Sequence, residues 1–129
     1  MRTIEISRAD WRQRLDEFSL VHAGWLVSLE LLAPALGAQP ETRDLPLRGV
    51  TAEVGASGPT ITIAAAATAV DQITHTIHSP TRVRLEQTDL GADVALAIES
   101  ADETTAILRF RTAALPETVD GVPRRKAGC

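Results

Sequence analysis

The chain of 129 residues has one cysteine, one lysine, no tyrosine, no asparagine, two tryptophans and two phenylalanines. Each shortage removes a class of function. A lone cysteine, Cys129, can build neither an internal disulfide framework nor a cysteine-rich zinc site. Four large aromatic rings are too few for a platform on which successive bases of a single strand would stack. The most apolar stretches, Leu29–Ala38 and Ile61–Val70, fall well short of the ~20 residues a membrane-spanning helix needs. The opening MRTIEIS carries no apolar core of a secretory signal, so a cytoplasmic location without membrane contact is expected.

Charge is short on one side. Arg124, Arg125 and Lys126 fall in the closing residues, so Met1–Val122 carries ten basic against seventeen acidic side chains, a balance of −7. An acidic body disfavours nucleic acid, whose backbone is gripped by clustered positive charge. It equally disfavours an anionic membrane surface. The cations are almost all arginine, and alanine is abundant, a composition typical of a GC-rich bacterial genome.

What the sequence does contain is a helix followed by strands. Trp11, Leu15 and Phe18 follow the spacing of one apolar helical face, with Arg12, Arg14, Asp16 and Glu17 elsewhere. Ser7 with Asp10 reads as a capping box, Ile6 with Trp11 as a hydrophobic staple, and Gly24 as the C′ glycine; the expected helix is 8–21, with His22 in its last turn. From Trp25 the period changes to two: Trp25, Val27, Leu29 and Leu31 alternate with Ser28 and Glu30. Ala33-Pro34 ends that strand, and Pro34–Pro40 reads as a loop. In Arg43–Val54 the alternation slips at Gly49, as at a β-bulge, and Pro46 suggests an edge position. Gly55–Pro59 is a turn, Ile61 and Ile63 open another strand, and Ala64–Ala67 suits either strand or helix. Ile73–Ser79 and Thr81–Thr88 read as one long strand bent at Ser79-Pro80. Turns at Asp89–Ala92 and Ala101–Glu103 then divide a meander over 81–111, with inward rows Val94, Leu96, Ile98 and Ala106, Leu108, Phe110.

The expected fold is mainly β (α+β): one N-terminal amphipathic helix packed on a small, bent antiparallel sheet or partly open barrel of about six strands. A flat sandwich with Ala64–Val70 as a second helix is the alternative. Residues 1–122 form the expected domain and 123–129 a basic, flexible tail.

No catalytic constellation is marked. His75 and His78, three apart in a strand, point to opposite faces and cannot share a metal ion. Ser79 lacks a nucleophile elbow, and Cys129 lacks a fixed base. Asp102 and Glu103 sit on a tight turn, Asp89 and Asp93 lack the calcium-loop pattern, and Gly55-x-x-Gly58 lacks the Lys-Ser/Thr of a phosphate loop. No cofactor or metal is expected. The least ordinary feature is Arg82, Arg84, Arg109 and Arg111, all outward on the meander. They form either an anion-gripping patch or a set of cross-strand pairs with Glu86 and Glu99, of which pairing is the more ordinary outcome. Leu26, Leu32 and Ile107, outward in phase, suit a second layer or a subunit contact.

The stretches Gly24–Glu30, Arg43–Val50, Thr74–Ile77, Arg82–Asp89 and Leu115–Glu117 resemble a small bacterial family known as a domain of unknown function, over residues 4–122. The resemblance implies a stand-alone cytoplasmic domain and carries over no catalytic residue. The function expected is a non-enzymatic interaction module that self-associates into a homo-oligomer. The alternatives are nucleic-acid or phosphate binding through the arginine face, and a small hydrolase or metal enzyme built on His75 or His78.

Overall fold

A computed structural model of the chain describes residues 1–114, apart from the side chains of Thr42, Arg43, Thr112, Ala113 and Ala114. Eight strands alternate along it with one helix: β1 (Arg2–Ile6), α1 (Trp11–His22), β2 (Leu26–Ala33), β3 (Gly37–Gly55), β4 (Gly58–Ala66), β5 (Gln72–His78), β6 (Pro80–Gln87), β7 (Asp93–Ser100) and β8 (Thr105–Ala114). They form one antiparallel sheet in the order β1-β6-β7-β8-β2-β3-β4-β5. The expected class is the observed one, with eight strands rather than about six. The additional strands are β1, too short to show a period beside Ser7, and one gained because the expected single long strand bent at Ser79-Pro80 is two strands, β5 and β6; β3 also starts earlier than expected, since the loop at Pro34–Pro40 is a tight turn followed directly by strand. Leu115–Glu117 and the tail 123–129 lie outside the described residues.

Two bends roll this sheet. The first is in β3, whose early residues pair with β2 as far as Leu26–Pro46 and whose later residues pair with β4 from Leu47–Ala65 onward. Pro46 stands at the handover and Gly49 at a register shift directly after it. The proline therefore does not mark an edge strand. It is tolerated in an interior one because the ladder changes partner there, and the flanking Leu47 amide donates instead to Trp25 O at 2.8 Å. The second bend is at Ser79, in the left-handed region at φ 52°, between β5 and β6. One residue thus links the last strand of the sheet to its second, so the sheet must curl back towards itself while its outermost edges, β1 and β5, stay unjoined. The bend read at Ser79-Pro80 and the bulge read at Gly49 are both present.

The helix fills the concave side. Trp11, Leu15, Phe18 and His22 are its buried residues, joined by Val27, Leu29, Leu47, Val50, Ile61, Ile63, Val83, Leu96, Ile98 and Leu108 in one apolar core. Burial of side chains this size contributes roughly 1.5–3 kcal/mol each relative to exposure. The first turn departs from the expected capping box: Arg8–Asp10 is a 3-10 turn, and Ser7 Oγ donates to the Asp10 carboxylate rather than capping a backbone amide. Ile6 and Trp11 do meet, with Trp11 Nε1 donating to Ile6 O at 2.9 Å. Gly24, at φ +86°, closes the helix as read. Ala64–Ala66 is strand, which excludes the second helix of the sandwich alternative.

α1 also serves as a side partner for β3. Where β2 has left, Ser19 Oγ accepts the Val50 amide at 2.7 Å and lies 2.9 Å from Val50 O. Gly24 N donates to Leu47 O at 2.8 Å. A Cβ on Gly49 would come 3.4 Å from Ser19 Oγ, so the bulge glycine lets the helix approach. Helix and strand are thereby joined through backbone groups that would otherwise be buried without partners.

Candidate functional site

The meander places the four arginines on one outward face. Arg82 and Arg84 lie on β6, Arg109 and Arg111 on β8, and β7 runs between them, presenting Ala95 and Ala97. Two strand spacings, about 10 Å, therefore separate the two arginine pairs. Acids interleave with them. Arg84 is ion-paired with Glu99, Arg82 Nε lies 3.5 Å from Glu5 Oε1, and Arg109 Nη2 lies 3.9 Å from Glu30 Oε1. Of the two partners the sequence suggested, Glu99 is used, whereas Glu86 makes no ion pair among the described residues; β1 and β2 supply Glu5 and Glu30 instead, because both strands extend this face sideways. Arg84 is the best enclosed of the four, and its Nε is buried without a hydrogen-bond partner among the described residues. The aliphatic stems explain why Ala95 and Ala97, on the outer face of β7, are buried.

Among the described residues, the buried polar and charged side chains are His22 and Asp93, and their contact joins α1 to β7. His22 is 3% exposed and Asp93 9%. His22 Nε2 is 3.0 Å from Asp93 Oδ2, and Nδ1 is 2.8 Å from Phe18 O. Both ring nitrogens thus face oxygen atoms. Gln87 Nε2 donates to the other carboxylate oxygen at 2.7 Å. Burial pushes the Asp93 carboxyl up, but the hydrogen bonds from His22 and Gln87, with the His22 charge, outweigh it and hold the group below the usual carboxylate range. Phe18, Trp25 and Phe110 surround the ring at centroid distances of 4.5, 5.1 and 4.6 Å. The pair is walled off from solvent, so its role is to fasten the helix end to the start of β7.

Sequence reading missed this pair. His22 continues the stripe Trp11, Leu15, Phe18 at the next i+4 step, which was the available sign that it is buried. Asp93 had no such sign: the register shifts between Asp93 and Ala95, and that irregularity turns the carboxylate inward and leaves Val94, expected in the inward row, only half-buried.

The other candidates stay apart. His75 is half-buried and His78 exposed, on alternate faces of β5. Among the described residues no group of three or more His, Cys, Asp or Glu could hold a metal ion. Asp102 accepts from Ser100 Oγ and the Thr104 amide, which hold its carboxyl below the usual range and close the turn. Ser79 lies in the bend, and Cys129 is outside the described residues.

A groove of about 590 Å³ runs between the first turns of α1 and the β3–β4 hairpin. Arg8, Trp11, Arg12 and Asp16 form one wall; Thr51–Val54, Pro59 and Thr60 form the other. The Arg8 guanidinium lies 4.8 Å from the Trp11 ring centroid and donates to Pro80 O at 3.3 Å.

A rolled antiparallel sheet closed by one amphipathic helix, with no helix long and apolar enough to cross a membrane among the described residues, defines a small β domain. The chain belongs to DUF5335, a family of unknown function, whose profile matches residues 2–118. No curated protein and no solved structure matched the chain.

Proposed function

We propose that this domain is a non-enzymatic interaction module of the bacterial cytoplasm that self-associates by pairing β5 with β5 of a second copy. The supporting observation is the free edge of β5. Its other side pairs with β4, and nothing pairs with the outer side among the described residues. Sheet edges are ordinarily guarded by charge, proline or a bulge. Gln72–His78 has no charged Asp, Glu, Lys or Arg, no proline and no register shift. The opposite edge, β1, is five residues long and carries Arg2 and Glu5, with the Met1 ammonium ion-paired to Asp89. Two β5 edges related by a two-fold axis would continue the sheet through seven-residue strands, the isologous contact favoured in homodimers. The outward Leu32, 43% exposed, supplies apolar surface elsewhere but no comparable register.

Alternation decides which amides the contact uses. Val50 turns its backbone away from β4, so Thr51 and Thr62 are bonded across β3–β4, and Ile63 with His75 across β4–β5. Thr74 and Thr76 therefore direct their amides to the free side. Thr74→Pro removes one such donor without touching the β4 ladder, and Thr74→Lys adds a charge to the edge. Light scattering across a concentration series should show a dimer for the native chain and monomers for both variants, with melting temperatures nearly unchanged. A native chain that stays monomeric at high concentration, or variants that dimerise equally well, would overturn the proposal.

A further inference from the structure

The groove beside α1 exposes a second, separate stretch of sheet edge. On the helix side of β3 the Val50 amide donates to Ser19 Oγ, and Val50 O lies 2.9 Å from the same hydroxyl, whose one proton also faces Leu15 O. The alternation of an antiparallel ladder then points the amides and carbonyls of Ala52 and Val54 the same way, away from β4. Pro59, directly opposite Val54, agrees with this phase, because a proline can face β3 only where no donor is required. Ser19 satisfies the Val50 amide, but no side chain or backbone group among the described residues bonds to the Ala52 or Val54 amide. Instead of closing on them, the first turns of α1 stand off across the groove lined by Arg8, Trp11, Arg12 and Asp16.

We infer that this groove binds an extended peptide that adds as a strand beside residues 52–54 and presents a carboxylate side chain to Arg8 and Arg12. The volume of about 590 Å³ lies within the usual range for ligand sites. Two outward amides and two outward carbonyls supply the main-chain bonds of strand addition, the mode in which backbone gives affinity and flanking side chains give selectivity. The selectivity here comes from guanidinium. Arg8 is held against the Trp11 ring and by Pro80 O, so little further order is needed for it to meet a carboxylate. Arg12 lies one helical turn further along the same wall, and neither arginine has an acidic partner within ion-pair distance among the described residues. Asp16 and Glu53 also line the groove and disfavour an all-acidic peptide, so one carboxylate among uncharged β-formers is the fitting pattern. This site is distinct from the β5 edge and does not depend on self-association.

Amide hydrogen exchange on the full-length chain at low concentration tests the edge itself. Ala52 and Val54 should exchange fast, while Thr51 and Glu53, bonded to β4, are protected. Slow exchange at Ala52 and Val54 would mean that the edge is already covered, and would overturn the inference. The second test titrates the blocked peptide Thr-Val-Glu-Val-Thr, and its Lys counterpart at the centre, followed by amide and indole chemical shifts. The Glu peptide should shift Ala52, Val54 and the Trp11 indole saturably, and Arg12→Glu should weaken it by about tenfold, as loss of a charge pair does. Equal binding of the Lys peptide, shifts confined to β5, or indifference to Arg12→Glu would each refute it.

Discussion

Replacing His22 by alanine should be among the most damaging single changes in this domain. The substitution strands the Asp93 carboxylate, which is 9% exposed, with Gln87 as its remaining side-chain donor. Breaking a buried pair from one side costs about 3–5 kcal/mol, because an uncompensated charge is left inside. Part of the loss is apolar: the ring packs against Phe18, Trp25 and Phe110, contacts worth about 0.5–1.5 kcal/mol per aromatic pair. At this chain length about 3 kcal/mol corresponds to a fall of roughly 10–15 °C in melting temperature. Urea unfolding followed by tryptophan fluorescence would measure it, and a double-mutant cycle with Asp93→Asn would separate pairing from packing. The pH dependence supplies an independent check. Asp93 has a folded pKa held below its unfolded value, so the unfolded chain takes up the proton first and stability falls as pH falls. Its contribution is complete above the ordinary carboxylate range, about pH 4, and disappears as pH drops through the lowered value. The stability gap between the native chain and Asp93→Asn should therefore close as pH falls through the ordinary carboxylate range and below it. A gap that persists unchanged to pH 2, or a cost for His22→Ala below about 1 kcal/mol, as for exposed pairs, would refute the reasoning.

Ser19→Ala removes the side-chain acceptor of the Val50 amide, and should cost about 1–3 kcal/mol in chemical denaturation, the penalty for a buried group left unpaired. Gly24→Ala meets no atom within 4 Å, so any loss is purely backbone; at φ +86° it should amount to about 1–2 kcal/mol and leave the circular dichroism spectrum unchanged. Arg84→Gln with Arg109→Gln should cost under about 1 kcal/mol and leave phosphate and single-stranded RNA binding at the background of the native chain, because these guanidiniums already have Glu99 and Glu30 beside them. Saturable, salt-sensitive binding by the native chain that this double change abolishes would establish the arginine face as an anion site.

What could be read from the sequence divides by the range of the interactions. The stripe Trp11, Leu15, Phe18, the slip at Gly49 and the bend at Ser79-Pro80 each follow from residues within a turn or two of one another, and each has its counterpart in the fold. β1 escaped because five residues give barely two periods, and its strand character comes from pairing with β6, some eighty positions away. The outward phase of the arginines was legible from alternation alone, but their partners were not: Glu5 and Glu30 reach them only because β1 and β2 extend the same sheet face. His22 shows the sharper difficulty. A histidine at the end of an apolar stripe can be an exposed cation favouring the helix dipole or a buried ring needing an acid, and local spacing is the same in both cases. The decision lies with Asp93, which reaches the interior only through a register irregularity in a strand seventy residues later. The backbone edge at Ala52 and Val54 was hidden for the same reason. Side-chain patterns report which face of a strand is buried, whereas its unpaired edge lies in the plane of the sheet and is exposed here because β2 departs at Pro46 and α1 covers only the stretch up to Val50.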